Sequence, residues 1–489
     1  RSSVAAAGIS MGRMTRRDQA RRPWRALPGR AVVVASAVLV LTTACGTDEP
    51  VANAPSVPGA GTGVEFAVTP DTVDETGTST TATPSTIVPP PPTDPPPVEP
   101  PSLGELELPC GRPGDAEGPG VDDERIVIGV GNDRGSLYTA DSAAGVVTAV
   151  RTLADACNAV GGVAGRSVVV EELDAALVEV EDRMVDACVE VFALVGHVYL
   201  REDEGEAVRV GCGLPSFPAR TTAVDDDAPD GPVSALTAAP EPVPLHGFVL
   251  SYVVSPADGD RVALIGPATV GGGRQRTRDA SALLTSGFPI EVAADIGYPV
   301  VDEPDWPAIV RTARNAGAGT VHLDGPCSSA VAPFLAAADD VGWRPAVVLA
   351  AEAYDPACLT SLGDVDLTRV VLETPLLPVS DGAAAPTTGA VADLYGQYGV
   401  PVTGDTLRAA SAFWLWAEAA AGCGSALDRT CLAEAGRAVD DWDAGGMHAP
   451  TDPGTAAVEP CVVLLGVEDG TVVRRAPLEP GTLDCDWRS

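Results

Sequence analysis

One plan occurs twice along this chain, and it restricts the fold more than any other feature. Arg125–Gly131 (RIVIGVG) is a short apolar, β-branched run that reads as a strand. Ser142–Val160 then carries Val147, Val150, Leu153, Ala154 and Cys157 at helical spacing. Ser167–Leu173 reads as a second strand, Leu177–Glu190 as a helix and Val191–Gly196 as a third strand. The plan restarts at Arg261–Gly266 (RVALIG), a strand, followed by a helix over Gly273–Gly287 and a strand over Ile290–Ile296. Trp306–Ala316 is a helix, Thr320–Leu323 a strand and Ser329–Val341 a helix. Strands alternating with helices predict parallel sheets covered by helices, here as two α/β lobes in succession. A helix over Asp405–Gly422 and a hairpin over Val462–Arg474, turning at Glu468-Asp469-Gly470, complete the pattern.

The glycines of "NAVGGVAGR" have nearly the spacing of a dinucleotide-binding turn. Their order argues against it. A phosphate-binding turn follows a strand and opens a helix, whereas Gly161, Gly162 and Gly165 end a helix and lead into a strand. They read as a helix stop. Gly266–Gly273 (GPATVGGG) has the right order but lacks the terminal Lys-Ser/Thr, so it reads as a loop of the second lobe's cleft.

Charge is unevenly placed. Residues 1–44 carry eight arginines and one acid, while the whole chain has a formal charge of −37. The acidic remainder repels nucleic acid and anionic lipid, so neither is expected as a partner. The chain has no lysine, which removes Walker, Schiff-base and Ser-x-x-Lys chemistry. With no Gly-x-Ser-x-Gly elbow and no His-x-x-x-His pair either, we expect no catalysis, no cofactor and no metal.

Arg13–Arg30 and the apolar Ala31–Leu41 have the layout of a signal peptide, and the apolar stretch is short for a bilayer span. "LTTAC" ends at Cys45 and resembles a bacterial lipobox, which implies lipidation of Cys45. Cleavage after Ala44 with secretion, or an uncleaved anchor, stay open. Residues 45–109 are Thr/Pro-rich, peaking in "IVPPPPTDPPPVEPP", and predict a disordered stalk; a motif for a proline-binding partner is the other reading.

Further on, "NAVGGVAGR", "VFALVGH", "RVALIG…TSGF", "AGAGTVHLDG…AADDVGW" and "SAFWLWAEAAAGCGSALDRTCLAEA" occur in an order that resembles type I periplasmic binding proteins. The leucine/isoleucine/valine-binding branch of ABC-importer receptors is the nearest in pattern, over nearly all of 124–455. The resemblance implies two doubly wound lobes with parallel sheets, joined by three crossover segments near Pro242–Leu250, near Val370–Pro378 and before Val462. The implied divisions are 1–44, 45–109, 110–247 and 374–460 (first lobe), 248–373 (second lobe) and 461–489, a hairpin and tail that go with the second lobe.

The implied role is capture of a small polar ligand, such as an amino acid or amide, between the lobes. Delivery to ABC importer permease subunits would follow, at the outer face of a bacterial membrane reached only through a lipid anchor. Tyr138, Ala219 and Thr221 match ligand contacts of the first lobe, and Glu352 matches the carboxylate that pairs a ligand ammonium, displaced by about one position. A hydroxyl expected at Leu200 and an aromatic at Val270 are missing, and the loop Asp324–Ser329 lacks a tyrosine. A ligand carboxylate would then fall to Arg220 or to backbone amides. Asp133 and Arg134 are further cleft candidates.

Each residue also has a structural reading: Tyr138 as packing, Thr221 as a turn cap, Glu352 as solvated, Arg220 as partner of Asp225–Asp227, and His197 as a hydrogen-bonded packing residue. A sensing or degenerate module of the same fold is the alternative function.

Beyond Cys45, ten cysteines without a C-x-x-C pair argue for disulfides in an exported protein. Cys188 and Cys212 fall near each other in the first lobe, and Cys327 and Cys358 sit in adjacent loops of the second. Cys423 and Cys431 bracket a helix–helix turn, and Cys461 and Cys485 bracket the hairpin. Cys110 and Cys157 remain, with nothing local to fix that pair.

Overall fold

A computed structural model describes residues 102–221, 231–236, 261–285, 290–363, 365–424, 426–454, 457–458 and 461–485. The expected leader, Cys45, nearly all of the stalk, the crossover at Pro242–Leu250 and Asp225–Asp227 lie outside the described residues.

The first lobe's sheet is built from β1 (Arg125–Asn132), β2 (Ser167–Asp174), β3 (Ala193–Val195) and β4 (Ser216–Phe217). Its order is β2-β1-β3-β4, and every pairing is parallel. Ile126, Ile128 and Val130 of β1 are wholly buried. Parallel pairing needs a crossover between strands, and α1 (Ala140–Ala159) and α2 (Val180–Glu190) supply it. α1 stops where the glycines begin: Gly161 and Gly162 have φ of +113° and +68°. A Cβ on Gly162 would lie 1.9 Å from the Arg166 carbonyl oxygen, so the turn is built for backbone packing.

The second sheet comprises β5 (Arg261–Pro267), β6 (Glu291–Tyr298), β7 (Thr320–Leu323), β8 (Ala346–Leu349) and β9 (Val370–Thr374). β10 (Val463–Glu468) and β11 (Thr471–Ala476) form the hairpin. The order is β11-β10-β9-β8-β7-β5-β6. Five strands run parallel, and the hairpin adds to β9 in antiparallel sense. Alternate residues serve two cores. Val262, Leu264, Val348 and Val371 face Leu283 of α3 (Val270–Thr285), while Ala263, Ile265, Val321 and Leu349 join the main core. That double burial explains the continuous apolar runs. The turn of the hairpin is Asp469-Gly470 with φ of +48° and +70°, the backbone that a tight two-residue loop requires.

The remaining helices are α4 (Trp306–Asn315), α5 (Ala332–Asp340), α6 (Pro386–Tyr398), α7 (Gly404–Gly422) and α8 (Arg429–Arg437). α3 begins at Val270, earlier than the predicted Gly273, and a π turn over Cys327–Val331 precedes α5. α7 packs on α1 and on the first sheet, so the chain returns to the first lobe before it ends. It is buried on all sides, with Phe413, Trp414, Leu415 and Trp416 wholly covered. Disulfides join Cys110–Cys157, Cys188–Cys212, Cys327–Cys358, Cys423–Cys431 and Cys461–Cys485.

Candidate functional site

The C-terminal ends of both parallel sheets meet at a polar seam, the place where open α/β sheets hold ligands. Tyr138, in the loop after β1, touches Tyr298 at the end of β6, hydroxyl to hydroxyl. Tyr298 donates onward to the Asp324 carbonyl oxygen at 2.7 Å, so Tyr138 is the donor between the two phenols. Burial pushes both hydroxyls above the ordinary phenol range. Gly325 lies against them, where a Cβ would come within 2.3 Å of the Tyr298 oxygen and 2.7 Å of the Tyr138 oxygen.

Three residues after β4 comes Arg220. Its loop is fixed from behind: the N–H groups of Ala219 and Arg220 donate to the His197 carbonyl at 3.1 and 3.4 Å. The Thr221 hydroxyl donates to Glu202 Oε2 at 2.6 Å, and Glu202 Oε1 lies 3.0 Å from His197 Nε2. His197 and Glu202 are fully buried, so Thr221 serves this anchor. Ala219 is buried beside it.

Arg220 itself is half-buried and projects among carboxyls. Burial works against its charge, but Asp405, Glu352 and Asp324 outweigh that and hold the guanidinium more firmly protonated than usual. Among the described residues, none makes an ion pair or hydrogen bond with the guanidinium, and Nε is buried without a partner.

Glu352 follows β8 in a short 3-10 turn, Ala351–Ala353. Arg408 on α7 donates from Nη1 to Glu352 Oε1 at 3.2 Å. Burial pushes the Glu352 carboxyl up, but the guanidiniums of Arg408 and Arg220 prevail and hold it below its ordinary range. For Asp324 the balance falls the other way: burial, aided by the Glu352 charge, pushes it well above the carboxylate range despite Arg220. The first turn of α7 lies directly on the Glu352 loop, with the Gly404 N–H donating to the Tyr354 carbonyl at 2.7 Å. A Cβ on Gly404 would lie 2.7 Å from the Ala351 oxygen.

Other candidates have structural tasks. Asp133 is buried and accepts the N–H groups of Leu177 and Leu200, each at 2.9 Å, which clasps three first-lobe loops together. Arg134 is half-exposed and pairs with Glu172 at 3.1 Å. Leu200 is buried, whereas Val270 is 60% exposed at the start of α3. In the Gly266–Gly273 loop, the Gly272 N–H is taken by Thr269 Oγ1 at 3.0 Å. The Cys327–Cys358 bridge ties the loop after β7 to the short helix Pro356–Ser361 beyond Glu352. Among the described residues, no His/Cys/Asp/Glu group is placed to hold a metal ion, and no helix is long and apolar enough to cross a membrane.

Tyr298, Asp405 and Arg408 did not emerge from the sequence. Tyr298, at the end of β6, brings a second-lobe aromatic to the seam. Asp405 and Arg408 are three apart at the start of a mostly apolar helix, and two charges on one face of it were the available signal.

A family model described as "Periplasmic binding protein" matches residues 125–471. A fatty acid ABC transporter substrate-binding protein from Thermomonospora curvata aligns with a TM-score of 0.61 at 17% identity, covering 78% of this chain and 100% of that one. The leucine binding protein LivK from Thermotoga maritima aligns with a TM-score of 0.57 at 17% identity, covering 72% and 98%. The branched-chain amino acid transporter substrate binding protein LivJ from Streptococcus pneumoniae, in complex with isoleucine, gives 0.55 at 14% identity, covering 72% and 100%. Among curated proteins, none matches the sequence significantly.

Proposed function

Since the chain belongs to the periplasmic binding protein family, we propose that it captures a small polar solute between its lobes and delivers it to the permease of an ABC importer. One observation carries this reading. Arg220, Asp405 and Arg408 of the first lobe face Asp324 and Glu352 of the second, around the Tyr138–Tyr298 contact. Charges gathered at a seam between lobes, with no catalytic constellation among them, suit recognition of a polar solute. The solutes named for proteins of this fold range from fatty acid to leucine and isoleucine, so the fold leaves ligand chemistry to the seam.

The family works outside the cytoplasm. In this reading the Arg-rich leader directs export, Cys45 carries the lipid, and the Pro-rich stalk spaces the lobes from the membrane. A sensing module is the second reading, favoured by Leu200 and Val270, which offer neither the hydroxyl nor the aromatic of the importer receptors. Thermal-shift screening of the full chain against amino acids, amides and organic acids tests solute capture. A solute at 100 times its Kd adds ~2.7 kcal/mol of stability, and small-angle scattering should show compaction with the same solute. A screen in which no solute stabilises or compacts the protein would sink the reading.

A further inference from the structure

The seam's unmatched polar atoms narrow the solute class, an inference that rests on the solute-binding reading above. Asp405 is the carboxylate that bears most strongly on Arg220, yet the two form no ion pair. Asp405 is only 5% exposed, and its Oδ1 has no hydrogen-bond partner among the described residues. Arg220 Nε is likewise buried and unmatched. A buried donor and a buried acceptor that interact without touching are costly unless something satisfies both.

An ammonium suits the site poorly. The carboxylate inherited for it, Glu352, is already engaged by Arg408 at 3.2 Å, and displacing Arg408 would strand the charge of a side chain that is only 9% exposed. A carboxylate suits it poorly too, because binding to Arg220 would set it beside Asp405 and Glu352. We propose that the seam selects an uncharged solute whose carbonyl oxygen accepts from Arg220 and whose adjacent N–H donates to Asp405: a primary carboxamide or a urea. Such an edge satisfies both unmatched atoms with one planar group.

Calorimetric titration of the full-length protein with isobutyramide, urea, isobutyrate, isobutylamine and leucine tests the proposal, with scattering measured on each mixture. The expected result is that isobutyramide or urea binds at least tenfold more tightly than isobutyrate, isobutylamine or leucine. Asp405→Asn should lower the amide-to-carboxylate preference at least tenfold by removing the repelling charge. If that variant does not fold, the wild-type series decides alone. Tightest binding by isobutyrate would mean an anion site, and by isobutylamine or leucine an ammonium site. Either result, with compaction, overturns the amide class and leaves solute capture intact. Failure of both amide probes to bind overturns the class as well, while solute capture is judged by the wider screen.

Discussion

Arg408 and Glu352 form an ion pair across the seam, Nη1 to Oε1 at 3.2 Å, with 9% and 16% of their side chains exposed. One comes from the returning helix of the first lobe and the other from the loop after β8. Removing either partner leaves a largely buried charge alone, which costs about 2–5 kcal/mol. Arg408→Met should therefore lower the denaturation midpoint sharply. The Arg408→Met/Glu352→Gln double variant should lose less than the sum of the two singles. Additive losses in a double-mutant cycle would mean that the pair does not bridge the seam in solution.

Acid should weaken the fold through His448. Its Nε2 lies 2.9 Å from the Ser411 hydroxyl and its Nδ1 2.8 Å from the Ala449 carbonyl, while Trp442 Nε1 donates to Ser411 at 3.0 Å. Burial pulls its pKa down to about 4. The unfolded chain, with an imidazole near 6.5, then binds the extra proton first. Stability from this group is complete above about pH 6.5 and is lost as pH falls toward 4, by roughly 3 kcal/mol in all. Denaturant melts between pH 4 and 7 should show that slope, and His448→Gln should flatten it. An equal slope in the variant would assign the effect to other groups.

The two-lobed fold was legible because strand–helix alternation leaves a periodic trace, and Arg125–Gly131 and Arg261–Gly266 carry it plainly. The hairpin was legible from Asp469-Gly470, whose backbone conformation few other pairs adopt. The seam was less so. Tyr138 and Glu352 were reached through the family resemblance and Arg220 as a further cleft candidate, but nothing local shows that Arg408 reaches Glu352 across 56 positions. Thr221 has the residue type of a ligand contact, yet its hydroxyl goes to Glu202, a partner brought near only by the packing of two loops. Asp133 faces the same limit, since the N–H groups it accepts belong to Leu177 and Leu200.

Reduction of Cys327–Cys358 should loosen the second lobe's half of the seam. The bridge closes a separation of 31 residues, and chain entropy alone makes that worth about 3–4 kcal/mol. It also ties together the loops that carry Asp324 and Glu352. Cys327→Ala/Cys358→Ala should lower the melting temperature and weaken solute binding, whereas Cys461→Ala/Cys485→Ala should lower stability without changing affinity. Equal affinity in the two double variants would limit the first bridge to a stabilising role.

The contact at Gly325 predicts how the lobes respond to a single methyl group. The residue has φ of +144°, a backbone that L side chains rarely adopt. A Cβ there would meet the Tyr298 and Tyr138 oxygens at 2.3 and 2.7 Å, well inside contact distance. The methyl would also lie 2.7 Å from the Ala330 Cβ, so Gly325→Ala must shift the loop and with it move Tyr298, whose hydroxyl is held by the Asp324 carbonyl, or move Tyr138 with the first lobe. The second route separates the lobes and enlarges the radius of gyration; both routes destabilise, by about 1–3 kcal/mol for the backbone strain alone. Adding Tyr298→Phe removes the atom at 2.3 Å and should restore part of the lost stability, because relief of so close a contact exceeds the value of the two hydrogen bonds lost with the hydroxyl, from Tyr138 and to the Asp324 carbonyl. A Gly325→Ala protein with the melting temperature and radius of wild type would show that the two tyrosines do not close over this glycine.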